Sequence, residues 1–177
     1  MTSIPDDRIR LLLGRRSIRV YRPEPIPEET VAALLAAAMS APSAAAKDPW
    51  RFVVVREPER LAALAEALPN GGMLAAAPLG IVVCGDLEAA HGRELSYLLQ
   101  DCAAATENLL LAAHALGLGA CWLGIHPRAD RVRRVGELLA LPPQVLPVAG
   151  IALGPPAETK EARTRFNPAF VHREQWR

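Results

Sequence analysis

Residues 96–116, SYLLQDCAAATENLLLAAHAL, form the longest uninterrupted helical pattern in the chain, and Gly117 stands where a helix would end. From Leu109 onward the pattern has no polar face apart from His114. A helix that is apolar nearly all round must be covered on most sides. A chain of 177 residues has little material for that, so a second subunit is the simplest cover. The fold must therefore be built around a central helix, with association expected through it.

The remaining elements follow from periodicity and punctuation. Asp6–Leu13 reads as a short helix with Ile9, Leu12 and Leu13 on one face and Gly14 after it. A second helix starts at Pro27, where Glu28 and Glu29 complement the helix dipole, and runs to about Met39. PERLAALAEAL (58–68) and PRADRVRRVGELLAL (127–141) are further helices, with Arg131, Arg133 and Arg134 expected on the solvated side of the latter. The runs RFVVV (51–55), LGIVVCGD (79–86), ACWLGI (120–125) and VLPVAGIALG (145–154) read as buried strands. The last twenty residues are polar with scattered aromatics, as in an arm. No repeat or linker divides residues 1–177, so a single domain is expected, of α+β class with helices layered on one small sheet.

Bulk properties exclude several functions. The formal net charge is +1, which gives no global field to recruit nucleic acid or an acidic membrane. Cys84, Cys102 and Cys121 are odd in number and widely spaced, as expected of buried reduced thiols in a cytoplasmic protein. The four histidines show no metal-ligand spacing, and no metal is assigned. The N-terminal residues lack the apolar core of a signal peptide, and no run has membrane-spanning character. There is no nucleophile elbow, P-loop or dinucleotide fingerprint. Asp48, Asp86 and Asp101 fall on different elements and suggest no working carboxylate pair. An enzyme of this composition would draw its chemistry from a bound cofactor.

Against that background the stretch RRSIRVYRPEPIPEE (15–29) stands out, with Arg15, Arg16, Arg19 and Arg22 in eight positions. In extended chain Arg15, Ser17 and Arg19 point to one side. Forked guanidinium donors with a hydroxyl between them suit a phosphate better than lysines would.

Four segments in register, RRSIRVYRPEPIPEE, APSAAAKDPWRFVVV, QDCAAATENLLLAAHALGLGACWLG and RTRFNPAFVHREQW, resemble the FMN-dependent nitroreductase superfamily over essentially the whole chain, as one of its short members. The resemblance implies a sandwich with a central mixed sheet of about four to five strands flanked by helices, in an intertwined homodimer with flavin sites at the subunit interface. It assigns Arg15, Arg16, Ser17 and Arg19 to the phosphate, ribityl and pyrimidine region of FMN. Pro42, Ser43 and Ala44 match the loop that reaches the flavin from the other subunit. Trp122, Leu123, Gly124 and Ile125 match the strand end beside flavin N5, and Arg163 and Arg165 match a basic pair that closes on the phosphate.

The family's loop commonly ends Asn-x-Gln-Pro-Trp, whereas here it ends Ala46-Lys47-Asp48-Pro49-Trp50. Ala46 cannot supply the asparagine's amide to the flavin, and Lys47 is a possible substitute. The connection CGDLEAAHGREL replaces the helical cap of larger members, which implies an open pocket. The activity implied is an NAD(P)H oxidoreductase reducing nitroaromatics, quinones or similar small molecules by ping-pong hydride transfer through flavin N5, with NADH or NADPH as reductant and no catalytic side chain. The alternatives are a flavin-consuming or dehalogenating member, or a non-catalytic flavin-binding dimer. Trp50, Cys121 and His172 are read as packing residues, and Tyr97, Gln100 and Asp101 as helix-surface positions.

Overall fold

The computed structural model describes residues 7–176, so the expected helix start at Asp6 lies outside the described residues. Its helices are α1 (Asp7–Gly14), α2 (Glu28–Met39), α3 (Pro58–Ala67), α4 (Leu95–Ala115) and α5 (Ala129–Leu138); its strands are β1 (Trp50–Val55), β2 (Leu79–Asp86), β3 (Gly119–Gly124) and β4 (Val145–Gly154). The strand order is β1-β2-β4-β3, and all three pairings are antiparallel. The expected mixed sheet is thus antiparallel across its four strands, and its parallel component is the isolated bridge between Ser17 and Ala120. Continuous apolar strands report that both faces are covered, and strand direction leaves no mark in them.

Two cores lie on the two faces. Along β2, Leu79, Ile81 and Val83 enter the core with α2 and α4, while Val82 and Cys84 enter the one with α3 and α5. Alternate residues of one strand thereby fill two layers. Gly85 admits the close approach of α4, because a Cβ there would lie 2.4 Å from Leu98 Cδ2.

The central helix is covered differently from the sequence expectation. Leu109, Leu110 and Ala113 are buried within the one chain, and α2 and the sheet both pack on α4. Leu111, Ala112 and His114 are half-buried, and Leu116 is exposed. The helix therefore does not require a second subunit over its whole circumference. Leu95 and Tyr97 at the start of α4 are exposed as well, and further exposed apolar side chains include Ile9 and Leu12 of α1 and Phe166, Phe170 and Trp176 of the arm. No helix among the described residues is long and apolar enough to cross a membrane.

Candidate cofactor site

Residues 15–22 lie along the open side of β3. Ile18 N donates to Ala120 O at 3.0 Å, and Tyr21 bridges Pro156. The other edge of this segment is closed by side chains. Glu158 Oε1 accepts the Arg19 N–H at 2.5 Å, and Lys160 Nζ donates to Ser17 O at 2.8 Å. Lys160 Nζ also lies 3.0 Å from Glu158 Oε1, and the Arg19 N–H first and this lysine second hold the Glu158 carboxyl below its usual range. The arginine segment is thus fixed between a strand on one side and an ion pair on the other.

Two clefts open at its two ends. Arg15 and Arg16 line the first, about 270 Å³ in volume, with Arg163, Thr164 and Arg165 of the arm. Four arginines from two distant parts of the sequence thus line one concavity, with no acidic residue among the described residues that line it. Arg15 is oriented by Glu107 on α4, whose Oε1 accepts from its Nε at 3.0 Å, and Arg16 Nη1 donates to Glu161 O. The second cleft, about 610 Å³, is lined by Arg19 and by Trp122, Leu123 and Gly124 of β3. Ser17 lies between the two, half-buried. Arg15 and Arg19 therefore serve different clefts. An extended chain advances about 3.3 Å per residue, so the two stand roughly 13 Å apart.

The parity of β3 determines what its edge offers. Ala120 O faces the arginine segment, so Trp122 and Gly124 also turn their backbone groups away from β4. Gly124 O is taken by Arg131 Nη1 at 2.8 Å, while the Trp122 and Gly124 N–H groups point along the open edge. Ile125 has the opposite parity. Its N–H donates to Val148 O at 3.2 Å and its side chain is fully buried, and it does not line the second cleft.

The loop carrying Pro42, Ser43, Ala44 and Ala46 lines neither cleft of its own chain. It is nonetheless tightly shaped. Ser43 Oγ donates to Asp48 Oδ1 at 2.5 Å and accepts from Asp48 N at 3.0 Å. Ala45, Ala46 and Asp48 hold φ of 51°, 51° and 48°, the left-handed region that alanine ordinarily avoids.

Several residues differ from their sequence reading. Arg131 is not merely on the solvated side of α5, since it caps Gly124 and lines the second cleft. Asn70, Gly72 and Met73 line that cleft too, and the PNGG turn signal after α3 was the available clue. Asp101 is not a surface residue; it is buried on α4 and accepts the Ala44 N–H. Trp50 is buried as expected, and Tyr97 and Gln100 are exposed. Burial alone raises the Cys84 thiol to about 12 and is the main cause raising Cys102 to about 12; Cys121, beside the cleft, is also raised by burial. These are inert thiols.

Gly119 lets the arginine segment reach β3. A Cβ there would lie 2.7 Å from Ile18 Cγ2 and 2.9 Å from Ile18 Cβ, and a β-branched side chain cannot swing aside. Gly119→Ala is expected to cost about 1–3 kcal/mol in urea unfolding. Amide exchange should quicken first at Ile18, whose bond to Ala120 must lengthen.

With this geometry in place, comparison with known proteins is informative. Residues 12–71 and 62–155 match the Nitroreductase family. A candidate NADH dehydrogenase/NAD(P)H nitroreductase from Archaeoglobus fulgidus is 43% identical over 174 residues, covering 97% of this chain and 99% of the relative. A candidate protein of the same description from Parabacteroides distasonis has a crystal structure that superposes with a TM-score of 0.92 at 34% identity, covering 97% of this chain and all of that one. A candidate nitroreductase from Desulfovibrio desulfuricans, solved in complex with FMN, superposes with a TM-score of 0.83 at 33% identity, covering 98% and 99% of the two chains. By sequence and by fold, the chain belongs to the nitroreductase family.

Proposed function

We propose that the chain is an FMN-dependent NAD(P)H oxidoreductase that works as a homodimer and reduces small acceptors such as nitroaromatics and quinones. The observation that carries this reading is the pair of clefts at the two ends of residues 15–19. One is lined by four arginines and the other by an aromatic strand edge with free backbone donors. A dianionic phosphate fits the first, because guanidinium forks and the Thr164 hydroxyl supply donors there, and Glu107 engages only the Arg15 Nε. A flat ring system with polar edges fits the second, where Arg19, Asn70 and Arg131 rim the apolar Met73, Trp122 and Leu123.

FMN, when bound, supplies the acceptance of hydride from NAD(P)H and its delivery to the acceptor. The chain's own part is to hold and orient. Arg15, Arg16, Arg163 and Arg165 neutralise the phosphate, and the Trp122 and Gly124 N–H groups offer donors to the ring edge. Arg19 and Arg131 place positive charge beside the second cleft, where negative charge arising on the ring would be stabilised. The Ser43–Asp48 loop completes the site from the partner subunit. The purified protein should be yellow, release FMN on heating, and oxidise NADH or NADPH steadily with menadione or a nitrofuran. A colourless protein that fails to quench micromolar FMN would overturn the reading.

Ala46 permits a sharper test. Asparagine tolerates the left-handed region better than alanine, and glycine better still. Ala46→Asn and Ala46→Gly should therefore each raise stability, the glycine variant by no more than about 1.5 kcal/mol because its added unfolded-state entropy offsets part of the relieved strain. The asparagine variant alone adds an amide for the flavin, and one neutral hydrogen bond strengthens FMN binding by at most roughly tenfold. Thermal unfolding and fluorescence quenching of FMN measure the two effects separately.

A further inference from the structure

The loop that follows α2 is tied to the central helix by one buried carboxylate, and at its far end Arg51 Nη1 of β1 donates to Asp48 O at 3.3 Å. Asp101 on α4 is 5% exposed, and its Oδ1 accepts the Ala44 N–H at 3.0 Å. Its Oδ2 is buried and has no hydrogen-bond partner among the described residues. A buried carboxylate oxygen without a donor is unfavourable, so leucine would serve the packing of α4 better. The residue's contribution must be sought in what it holds.

What it holds is a loop that opposes its own shape. Left-handed backbone at an alanine brings Cβ against the following carbonyl, and Ala45 and Ala46 both adopt it without glycine's freedom. Such conformations persist only where the surroundings over-determine them. Within the loop, Ser43 and Asp48 bond to each other, Ala46 N donates to Ser43 O and Lys47 N to Ala44 O. These bonds close the loop on itself but do not fix it to the fold. The Asp101–Ala44 bond runs from the loop to the central helix, 57 residues away in sequence.

We propose that Asp101 is a positioning residue: by binding the Ala44 N–H it sets the course of residues 44–48, left-handed at Ala45, Ala46 and Asp48, so that Ser43 and Ala44 are presented in one conformation to the partner subunit's flavin. The flavin clause rests on the function proposed above; the fixing of the loop does not.

The test compares Asp101→Leu and Asp101→Ala with Asp101→Asn, whose side-chain oxygen can accept the same N–H. Amide exchange in the flavin-free protein reads the loop. Ala44, Ala46 and Lys47 should exchange about tenfold faster or more in the leucine and alanine variants, and within about threefold of wild type in the asparagine variant. Amides of β2 and β4 should be unchanged, and Asp101→Leu should melt at or above the wild-type temperature. Unchanged loop exchange in the leucine and alanine variants overturns the proposal. So does faster exchange that rises in step across the sheet with a fall in melting temperature, because that is a general structural role.

Fluorescence quenching of FMN reads the second clause. Affinity should fall about tenfold or more in the leucine and alanine variants and recover in the asparagine variant. Wild-type affinity in a variant with a loosened loop overturns the flavin clause. Failure of the wild-type protein itself to quench FMN counts against the proposed function, and the exchange data alone then decide whether Asp101 fixes the loop.

Discussion

Arg15→Ala is expected to weaken FMN binding by roughly ten- to a hundred-fold while changing riboflavin binding far less. The guanidinium lines the arginine cleft, and its proposed partner is the phosphate that riboflavin lacks. A hydrogen bond to a charged group contributes about 1.5–3 kcal/mol, which is that range of affinity. A second effect has the same sign. Glu107, whose Oε1 lies 3.0 Å from Arg15 Nε, would be left as an uncompensated anion beside the cleft proposed to hold the phosphate. Both side chains are partly exposed, so solvent screens this repulsion and the phosphate contact should dominate. The double variant Arg15→Ala, Glu107→Gln separates the two, recovering the part of the loss that came from the freed carboxylate. Equal losses for FMN and riboflavin would show that Arg15 does not read the phosphate. Competition by inorganic phosphate reports the same contact if riboflavin binds too weakly to measure.

Much of this arrangement was legible in the sequence because it rests on local signals. Proline at a first helical turn, glycine after α4 and unbroken β-branched runs put most element limits within a residue or two of the structure, while α5 ends at Leu138, three residues before the expected Leu141. The arginine segment was legible for the same reason, since charge density in extended chain is local. What sequence could not supply was convergence. Asp48 and Asp101, read as unrelated, both bind the 43–48 loop, one from within it and one from α4. Arg131 looks like any arginine on the polar side of an amphipathic helix until β3 ends beside it.

Backbone parity was equally hidden. Trp122 and Gly124 face the open edge and Ile125 does not, because pairing with β4 alternates residue by residue. With apolar side chains on both faces of the sheet, nothing in the composition of β3 reveals which residues pair. The direction of the strands was lost for the same reason. The expectation that α4 needs a second subunit also came from composition, and it failed over Leu109, Leu110 and Ala113 because the chain's own sheet and α2 reach them.

The case for a dimer shifts accordingly from α4 to the arm, and removal of the arm has the second large expected effect. A chain ending at Ala162 should fold with nearly full stability, yet lose self-association and FMN binding together. Phe166, Phe170 and Trp176 are 76%, 79% and 86% exposed, so they contribute little to the core of their own chain. The arm's ring contact, His172 stacked on Trp176 at 4.0 Å, is internal to it. The bonds that fix the arginine segment come from Glu158, Lys160 and Glu161, all of which the shortened chain keeps. Unfolding should thus change by no more than about 1 kcal/mol.

Three large aromatic side chains left to water are a different matter, because each can bury about 150–250 Å² on a partner. Their removal should convert a dimer to a monomer at micromolar concentration in sedimentation equilibrium. Loss of Arg163 and Arg165 takes two of the four cations from the first cleft. Loss of the partner would also take the loop proposed to complete the site. The variant Arg163→Ala, Arg165→Ala in the full-length chain divides these contributions, since it should remain dimeric and weaken FMN binding without abolishing it. A shortened chain that still sediments as a dimer would assign association to other exposed apolar side chains, such as Ile9 and Leu12 of α1, Leu95 and Tyr97 of α4, and Leu116 just after it.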